Sequence, residues 1–291
     1  MPPELFAEAI AQFEALRTRL GVRRSWIQLS GGEPMLHPRI GEMLAHSASC
    51  LPTRVLTNGT LIDPQAAALL ARHCQSVQMS FDGDRDVHDR RRGPGSFDSA
   101  RSGLGLLRGA GVPVSARITV GADNCHCVEP LFRLLESEIS AYHVSRVVPT
   151  GGCDVKLPDT RDYRSVIYGL YALGATGRRI GLRDPFFGPL MSTEQAGRRF
   201  GGCSAGISGF CVTETGDIFP CRRLPIRLGN VGQTSLTEVY ESDPLLRRLR
   251  TRELGGRCGR CEHRIYCGGS RCIAFALTGD PLDEDPGCIY T

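Results

Sequence analysis

The sequence predicts an α/β protein in which a parallel sheet precedes a small cysteine-rich domain. Two observations support this prediction: short apolar runs alternate with amphipathic helices up to about residue 150, and most cysteines lie after residue 200. Alternating strands and helices imply crossover connections, which make neighbouring strands parallel. Five strands are predicted before residue 150. The sheet is therefore expected to be an open or partial barrel and not a closed eight-stranded one.

The apolar pattern places each element of the first half in turn. The first helix begins at Pro2 and ends at Gly21, with an apolar face of Phe6, Ile10, Phe13, Leu16 and Leu20. The predicted strands are Trp26–Ser30, Arg54–Leu56, Val77–Phe81, Val112–Val120 and His143–Val148. The helices predicted between them are Ile40–Ser47, Pro64–Cys74, Phe97–Ala110 and Pro130–Ser137.

Turn-forming and polar residues follow four of these strands, at the edge where parallel sheets bind ligands. The four segments are Gly31–Pro34, Thr57–Gly59, Ser80–Gly83 and Pro149–Gly152. In the first segment, two glycines let a ligand approach the backbone, and Glu33 offers a carboxylate to a cationic group. A strand-to-helix turn with a solvated glutamate explains the same residues equally well.

Two other polar clusters are interpreted as loops. Acidic residues from Asp82 to Asp89 are neutralised by neighbouring arginines, which favours a solvated loop over a divalent metal site. Cys125-His126-Cys127 has the composition of a metal site, but ligands spaced by one residue are uncommon in closed sites.

The C-terminal part is predicted to contain a hairpin over Val212–Pro220 and helices over Leu236–Tyr240 and Pro244–Arg250. Residues 155–200 are interpreted as helix and linker, so the predicted domains are 1–155, 156–200 and 201–291. The segment from Cys258 to Cys288 has too few apolar residues to fold by burial alone. Metal ligation is predicted to stabilise it.

The cysteines of this part form two sets. Cys258, Cys261, Cys267 and Cys288 provide a complete set of four thiolates, whereas Cys203 and Cys221 are half of a second set that Cys211 or Cys272 could complete. Zinc and iron–sulfur sites fit the spacing comparably well, and free thiols are an alternative for the second set.

Composition limits the location and the partners. The 13 cysteines are an odd number and no signal peptide precedes them, which favours a reducing cytoplasm over a disulfide scaffold. A net charge of +4 is too small to predict binding to nucleic acid or to a membrane. No apolar run reaches the length of about 18 residues that a transmembrane helix needs.

Together these motifs resemble the radical S-adenosylmethionine (radical SAM) superfamily, in its branch with a C-terminal SPASM domain that carries auxiliary iron–sulfur clusters. Gly31-Gly32-Glu33-Pro34 resembles the motif that receives the amino group of SAM. Cys203-x12-Gly216-x4-Cys221 and Cys258-x2-Cys261-x5-Cys267 resemble the SPASM signature. Gly229–Val231 and Thr278–Cys288 are similar to enzymes that modify tetrapyrroles in heme d1 and alternative heme synthesis. Gly269–Asp280 also resembles the pyrroloquinoline quinone peptide-crosslinking enzyme.

The resemblance covers essentially the whole chain and implies a fold, cofactors and site residues. The fold would be a partial (β/α)6-type TIM-like barrel lacking its first strand, followed by a loop-rich hairpin and helix domain. The cofactors would be SAM and [4Fe–4S] clusters. The implied SAM-binding residues are Gly31, Gly32, Glu33, Pro34, Asn58, Ser80, Asp82, Val148 and Pro149, with Ser80 and Asp82 near the ribose and Val148 and Pro149 near adenine. The implied cluster ligands are Cys258, Cys261, Cys267 and Cys288 for one site and Cys203, Cys221 and Cys272 for the other.

Two departures from the family pattern matter. The family holds its catalytic cluster with Cys-x3-Cys-x2-Cys near the N-terminus, and this sequence has no cysteine before Cys50. A chain truncated at its N-terminus explains this, and a protein that has lost catalysis is the alternative. Ser270 stands where many SPASM proteins have a cysteine in Cys-Gly-Gly-Cys.

Two functions therefore follow from the resemblance. The first, for the full-length form of the chain, is a radical SAM oxidoreductase that modifies a ribosomal peptide or a tetrapyrrole in a cofactor or natural-product pathway. It would receive electrons from a reductase or a ferredoxin-type donor. The second is an iron–sulfur binding or partner protein without radical chemistry, which the absent cysteine triad favours.

Overall fold

The computed structural model describes residues 1–149, 155–175, 180–182, 184–192 and 202–290. The chain divides into two compact units. One unit consists of Arg24–Arg146 and Tyr168–Leu182, and the other of Met1–Arg23, Val147–Ile167 and Arg183–Thr291. Both units combine segments that are distant in the sequence. The predicted domain boundaries at residues 155 and 200 assume domains that are consecutive along the chain, and they stay predictions. The Thr150–Gly152 part of the fourth strand-end motif lies outside the described residues.

The first unit contains a parallel sheet of six strands whose spatial order follows the chain order. The strands are β1 (Ile27–Leu29), β2 (Thr53–Thr57), β3 (Ser76–Ser80), β4 (Val114–Val120), β5 (Ala141–Arg146) and β6 (Ile180–Leu182). The predicted α/β class is confirmed, and β1–β5 correspond to the five strands predicted before residue 150. The sixth strand was not predicted. β6 lies in the segment interpreted as helix and linker. Its three residues include Gly181, so no alternating apolar pattern reveals it.

Helices fill the crossovers between the first five strands. They are α2 (Ile40–Cys50), α3 (Pro64–His73), α4 (Arg85–Arg92), α5 (Ser96–Gly109) and α6 (Val128–Leu135). The interpretation of the charged residues around α4 as a loop was wrong. Asp84 accepts a hydrogen bond from the Val87 N–H and caps this helix, which buries only Val87 and His88.

The two faces of the sheet differ in polarity. Val55, Val77 and Met79 lie in register with apolar residues of neighbouring strands and are fully buried. The opposite face carries Gln78 and Ser80 of β3 in register with Ser115 and Arg117 of β4. Because side chains alternate along a strand, this second face is a polar surface that ends at the carboxyl edge of the sheet.

The second unit contains α1 (Pro3–Arg19) and the elements that follow the sheet. A three-stranded antiparallel sheet has the order β7 (Cys211–Val212), β8 (Asp217–Phe219), β9 (Gly229–Asn230), which confirms the predicted hairpin. The helices are α8 (Phe187–Ser192), α9 (Leu236–Ser242), α10 (Pro244–Thr251), α11 (Gly256–Arg260) and α12 (Arg271–Thr278), and α7 (Thr160–Ala175) contributes residues to both units.

The apolar face of α1 belongs to the core of this second unit. Leu16 packs in one buried cluster with Ile218, Leu236 and Val239, and Leu5, Ala9 and Phe13 lie against the same cluster. Among the described residues, no helix combines the length and the apolar character needed to cross a membrane.

Candidate functional site

The Glu33 carboxylate lies at the carboxyl edge of the sheet, where three hydrogen bonds hold it. Its Oε1 accepts from the Thr57 hydroxyl at 2.7 Å and from the Met35 N–H at 3.1 Å, and its Oε2 accepts from the Asn58 N–H at 2.8 Å. A carboxylate offers about four acceptor positions. These three bonds therefore leave room for one further donor on Oε2.

The neighbouring residues of this motif support the same geometry. Pro34 is buried and begins a short 3₁₀ helix, Pro34–Leu36, for which Glu33 is the N-cap. Gly31 and Gly32 are exposed, and a Cβ at either position would meet no described atom within 4 Å. Packing within the protein does not require glycine there, so the space above this backbone is open to a ligand.

Asn58 contributes to the site mainly through its backbone. Its N–H donates to Glu33, while its side-chain oxygen accepts from both the N–H and the hydroxyl of Thr60 at 2.8 Å. Gly59 follows with a φ of +81°, a conformation that favours glycine. The Thr57–Gly59 motif therefore forms a turn that presents two donors to the Glu33 carboxylate.

Ser80 is the last residue of β3 and Asp82 follows it, but the two side chains have different surroundings. The buried Asp82 carboxylate accepts hydrogen bonds from the Arg92 Nε at 2.7 Å and from the Thr119 N–H at 3.3 Å. Arg91 lies 3.8 Å from the same carboxylate. Asp82 therefore ties α4 to the end of β4, whereas Ser80 lies on the polar face of the sheet beside Arg117.

Arg117 is a polar residue of this face that the sequence interpretation missed. Its Nη2 donates to the Ser145 hydroxyl of β5 at 2.7 Å, and its strand position is in register with Ser80. The sequence contained a signal for this residue. Val114, Ala116, Ile118 and Val120 form the apolar face of β4, and Arg117 lies between them on the opposite, polar face.

The remaining predicted SAM residues, Val148 and Pro149, belong to the second unit. Val148 is 7% exposed and packs with Ala205, Leu224, Cys272 and Ile273 in one apolar cluster. Cys203 and Cys221 pack against the same cluster.

The four cysteines of the first predicted set line one cavity. Cys258, Cys261, Cys267 and Cys288 surround a space of about 280 Å³. Its wall also includes Phe186, Arg257, Arg260, His263, Arg264, Gly268, Gly269, Asp285 and Tyr290. A single zinc ion would draw four sulfurs to about 2.3 Å from one point. The size of this space suits a larger polynuclear group.

The backbone around this cavity is shaped for sulfur ligands. The Gly269 N–H donates to the Cys267 sulfur and the Asp285 N–H donates to the Cys258 sulfur, each at 3.4 Å. Gly269 has a φ of +57°, and a Cβ there would lie 3.2 Å from the Cys258 sulfur. Hydrogen bonds to the sulfurs are one of the ways in which proteins stabilise iron–sulfur clusters. The donor set and the cavity therefore fit a [4Fe–4S] cluster.

Burial raises the pKa of two thiols in this cavity. It raises the pKa of Cys267, and it raises the pKa of Cys288 although a hydrogen bond from the Tyr290 backbone opposes the rise. Metal ligation requires thiolates, so metal binding at this site releases protons. Within the described ranges, no three His, Cys, Asp or Glu side chains are gathered around the position of a single metal ion.

The second cysteine set is brought together in part. The Cys272 thiol hydrogen-bonds to Cys221, which lowers the pKa of Cys221 and raises that of Cys272. Cys203 packs against the same apolar cluster as Cys221. Cys211 of β7 pairs with Phe219 of β8. Because Phe219 precedes Cys221 by two residues, Cys211 is a diagonal neighbour of Cys221.

Ser270 is used for helix capping in this structure. Its hydroxyl accepts from the Ile273 N–H at 3.4 Å at the start of α12, and its own N–H donates to the Asp285 carboxylate at 2.7 Å. The serine is 6% exposed. It therefore stabilises the helix that carries Cys272.

Comparison with known families identifies the class of this protein. The model of the radical SAM superfamily matches residues 3–135, and that of an iron–sulfur cluster-binding domain, SPASM, matches residues 203–262. The chain belongs to the radical SAM superfamily and carries a SPASM domain. Membership assigns it the cofactors SAM and [4Fe–4S] clusters, and it makes the chain a member of an enzyme family.

Its relatives include tetrapyrrole synthases and a maturase. The AdoMet-dependent heme synthase of Methanosarcina barkeri is 34% identical over 90% of this chain and 81% of the relative. The mycofactocin maturase MftC of Mycobacterium tuberculosis is 31% identical over 91% of this chain and 70% of the relative. The pre-heme d1 synthase of Dinoroseobacter shibae is 30% identical over 90% and 74%.

Solved structures share the fold. Native anSMEcpe with bound AdoMet superposes with a TM-score of 0.74 at 20% identity and covers 97% of this chain and 84% of that protein. Streptococcus suis SuiB bound to S-adenosylmethionine has a TM-score of 0.71 at 18% identity, over 96% and 70%. The predicted α/β, TIM-like fold is thereby confirmed.

Proposed function

We propose that this protein is a radical SAM oxidoreductase that modifies a tetrapyrrole. The observation that carries the SAM site is the Glu33 carboxylate, which the ends of β1 and β2 hold beside two open glycines. The tetrapyrrole is supported by the heme synthase relative, which is 34% identical to this chain.

The residues of the sheet unit would bind and orient SAM. The remaining acceptor position of Glu33 receives the ammonium group of SAM through a charge-assisted hydrogen bond. Arg117, on the polar face beside Ser80, is suited to the SAM carboxylate because its guanidinium can form paired hydrogen bonds. The roles of Ser80 and Asp82 near the ribose, of Val148 and Pro149 near adenine, and of Asn58 in SAM binding are part of the same proposal.

Cleavage of bound SAM by one electron from a catalytic [4Fe–4S] cluster would supply methionine and a 5′-deoxyadenosyl radical that abstracts hydrogen from the substrate. The chain has no cysteine before Cys50 and so contains no Cys-x3-Cys-x2-Cys set for the catalytic cluster. Its own residues orient SAM and provide the two auxiliary thiol sets. Cys258, Cys261, Cys267 and Cys288 would hold one cluster, and Cys203, Cys221 and Cys272 would contribute to the other, which could accept the electron left after substrate oxidation.

Replacing Glu33 by glutamine tests the SAM site. Glu33→Gln removes the negative charge that pairs with the ammonium group, so SAM affinity should fall about 10- to 100-fold. The measurement is a calorimetric titration of the anaerobically reconstituted protein with SAM. Glu42→Gln is the matched control, because Glu42 is exposed and pairs with Arg39. Equal SAM affinity of the wild type and Glu33→Gln would refute this role.

The substrate class is tested by binding. Fe-coproporphyrin III is a suitable probe, because a relative of 29% identity is named Fe-coproporphyrin III synthase and another is named heme synthase. The expected result is a saturable change in the absorbance of the porphyrin when protein is added. A mycofactocin precursor peptide is the competing probe, supported by the MftC relative. Tight binding of the peptide without the porphyrin would assign the peptide class.

A second candidate function is an iron–sulfur partner protein without radical chemistry. The cavity lined by Cys258, Cys261, Cys267 and Cys288 supports it, because this cluster site does not depend on SAM. Release of 5′-deoxyadenosine from SAM by the reduced protein under anaerobic conditions would exclude it. The cytoplasmic location and the ferredoxin-type electron donor stay predictions.

A further inference from the structure

Two arginines are buried among the predicted cluster ligands. Arg252 is 1% exposed and Arg271 is not exposed at all, and they head the set of largest fully buried side chains in the described part of the protein. An arginine keeps its charge at any physiological pH. Removing a guanidinium from water costs several kcal/mol unless negative charge compensates it.

The contacts of Arg271 leave that compensation incomplete. Its Nη1 donates to the backbone oxygens of Pro281 and Asp283, both neutral acceptors. Its Nη2 lies 3.7 Å from the Cys258 sulfur. Its Nε has no hydrogen-bond partner in the part of the chain that the structure describes.

Carboxylates do not neutralise this guanidinium directly. Among the described residues, none forms an ion pair with Arg271 within 4.0 Å, although Asp285 is buried nearby. The Asp285 carboxylate accepts instead from the N–H groups of Ser270 and Gly287. Among the described residues, the Cys258 sulfur is therefore the group of the cysteine site that the Arg271 guanidinium contacts, while the Asp285 carboxylate lies beyond ion-pair distance.

Arg252 occupies a similar place between the two cysteine sets. Its Nη2 donates to the Cys203 carbonyl oxygen at 2.9 Å, and the Cys203 N–H donates to the Cys267 carbonyl oxygen at 3.2 Å. A Cβ on Gly268 would lie 2.6 Å from the Arg252 Nη1, so the guanidinium lies against the backbone next to Cys267. Arg252 has a φ of +56°, a costly conformation for a residue with a side chain.

We propose that Arg271 and Arg252 are positioning residues that supply buried positive charge to the auxiliary clusters and raise their reduction potentials. This inference rests on the proposed function, because it requires clusters on the two cysteine sets. A cluster held by thiolates is already negative, and an added electron makes it more negative. A nearby buried cation stabilises the reduced form more than the oxidised form, because interactions between buried charges are strong.

The consequence concerns the direction of electron flow. A higher potential makes each auxiliary cluster a better acceptor for an electron released by an oxidised substrate. The cluster takes up one electron and the substrate-derived radical loses it. The two arginines would therefore favour the oxidative outcome that the proposed function requires.

The test is a redox titration of reconstituted wild type and variants, followed by electron paramagnetic resonance with dithionite as the reductant. In Arg271→Gln, the equilibrium constant for one-electron reduction of the cluster should fall at least tenfold, which corresponds to about 59 mV. Arg271→Lys keeps the charge and should restore most of the wild-type potential. A merely structural role would give no such rescue of the potential.

Arg257→Gln is the matched control. Arg257 lines the same cavity, but it is exposed and its guanidinium is paired with Glu284 at 2.9 Å. Its removal should change the reduction constant less than threefold, because solvent and the carboxylate already screen its charge. If Arg271→Gln does not fold, Arg252→Gln and Arg252→Lys provide the same comparison at the second arginine.

Iron content separates failure of this inference from failure of the proposed function. Wild-type protein that binds no iron would overturn both. Variants that bind wild-type amounts of iron but have the wild-type potential would overturn the electrostatic role and leave the auxiliary clusters intact. A fall in potential shared equally by Arg257→Gln would also overturn it, because the effect would not depend on burial.

Discussion

His88 is a fully buried histidine whose ionisation is tied to the fold. Its Nδ1 accepts from the Asp82 N–H at 3.3 Å, and its ring lies between Phe81 and Phe97 with centroid distances of 5.8 and 5.6 Å. Burial, and then the nearby charge of Arg92, lowers the pKa of His88 to about 4, although Asp82 and Asp89 oppose this. The folded protein therefore holds the neutral imidazole.

This shift predicts a pH dependence of stability. The unfolded chain has a histidine pKa of about 6.5, so it binds more protons than the folded chain between pH 6.5 and about 4. Stability is therefore complete above pH 6.5 and decreases as pH falls, by up to about 1.4 kcal/mol per pH unit. The measurement is the free energy of unfolding in urea at pH 7, 6 and 5.

His88→Gln should lose this part of the pH dependence, since glutamine does not titrate. His46→Gln is the control, because His46 is exposed. Parallel pH profiles for the wild type and His88→Gln would contradict the prediction.

The helix α5 is held at its first turn by Asp89 of α4, and one of its glycines packs against the turn that follows β2. The Asp89 carboxylate accepts from the N–H groups of Gly95 and Phe97 and from the Ser96 hydroxyl, which stabilises the start of α5. Farther along, a Cβ on Gly103 would lie 2.4 Å from the Gly59 carbonyl oxygen. The helix therefore packs directly on the turn that positions the Glu33 carboxylate.

Two glycine substitutions in this one helix should have opposite effects. Gly103→Ala forces α5 away from Gly59 and should destabilise the protein by about 1–3 kcal/mol and weaken SAM binding. Gly105 is exposed with no described atom within 4 Å of an added Cβ, so Gly105→Ala should stabilise by about 0.5–1 kcal/mol. Denaturant unfolding measures both changes. Equal stability of the two variants would show that the contact between Gly103 and Gly59 does not contribute to the free energy of unfolding.

For the whole molecule, the two cysteine sets predict the iron content. Two [4Fe–4S] sites correspond to about eight irons per chain after anaerobic reconstitution. Cys258→Ala and Cys203→Ala should each remove about four irons, because the residues belong to different sets. Iron and acid-labile sulfide assays provide the measurement. Zinc without iron, or loss of all iron from either single variant, would contradict two independent iron–sulfur sites.

The sequence predicted the first five strands well, and it grouped four cysteines that line one cavity, because both depend on local patterns. Apolar alternation and the spacing of Cys258, Cys261 and Cys267 are visible within a short window. The sequence-based prediction was wrong for β6, which is too short to show a pattern. It was also wrong for α4, because its charged residues resemble a loop and the capping role of Asp84 is visible only in the structure.

By itself, the sequence determined the α/β class and the family, and it predicted which residues would serve SAM and the clusters. Only the tertiary structure decided how these residues are used. It places Asp82 in an ion pair with Arg92, uses Ser270 to cap α12, and buries Arg271 beside Cys258. The physical reason is that motifs record chemistry over a few neighbouring residues. Burial and charge compensation instead depend on which distant residues the fold brings into contact.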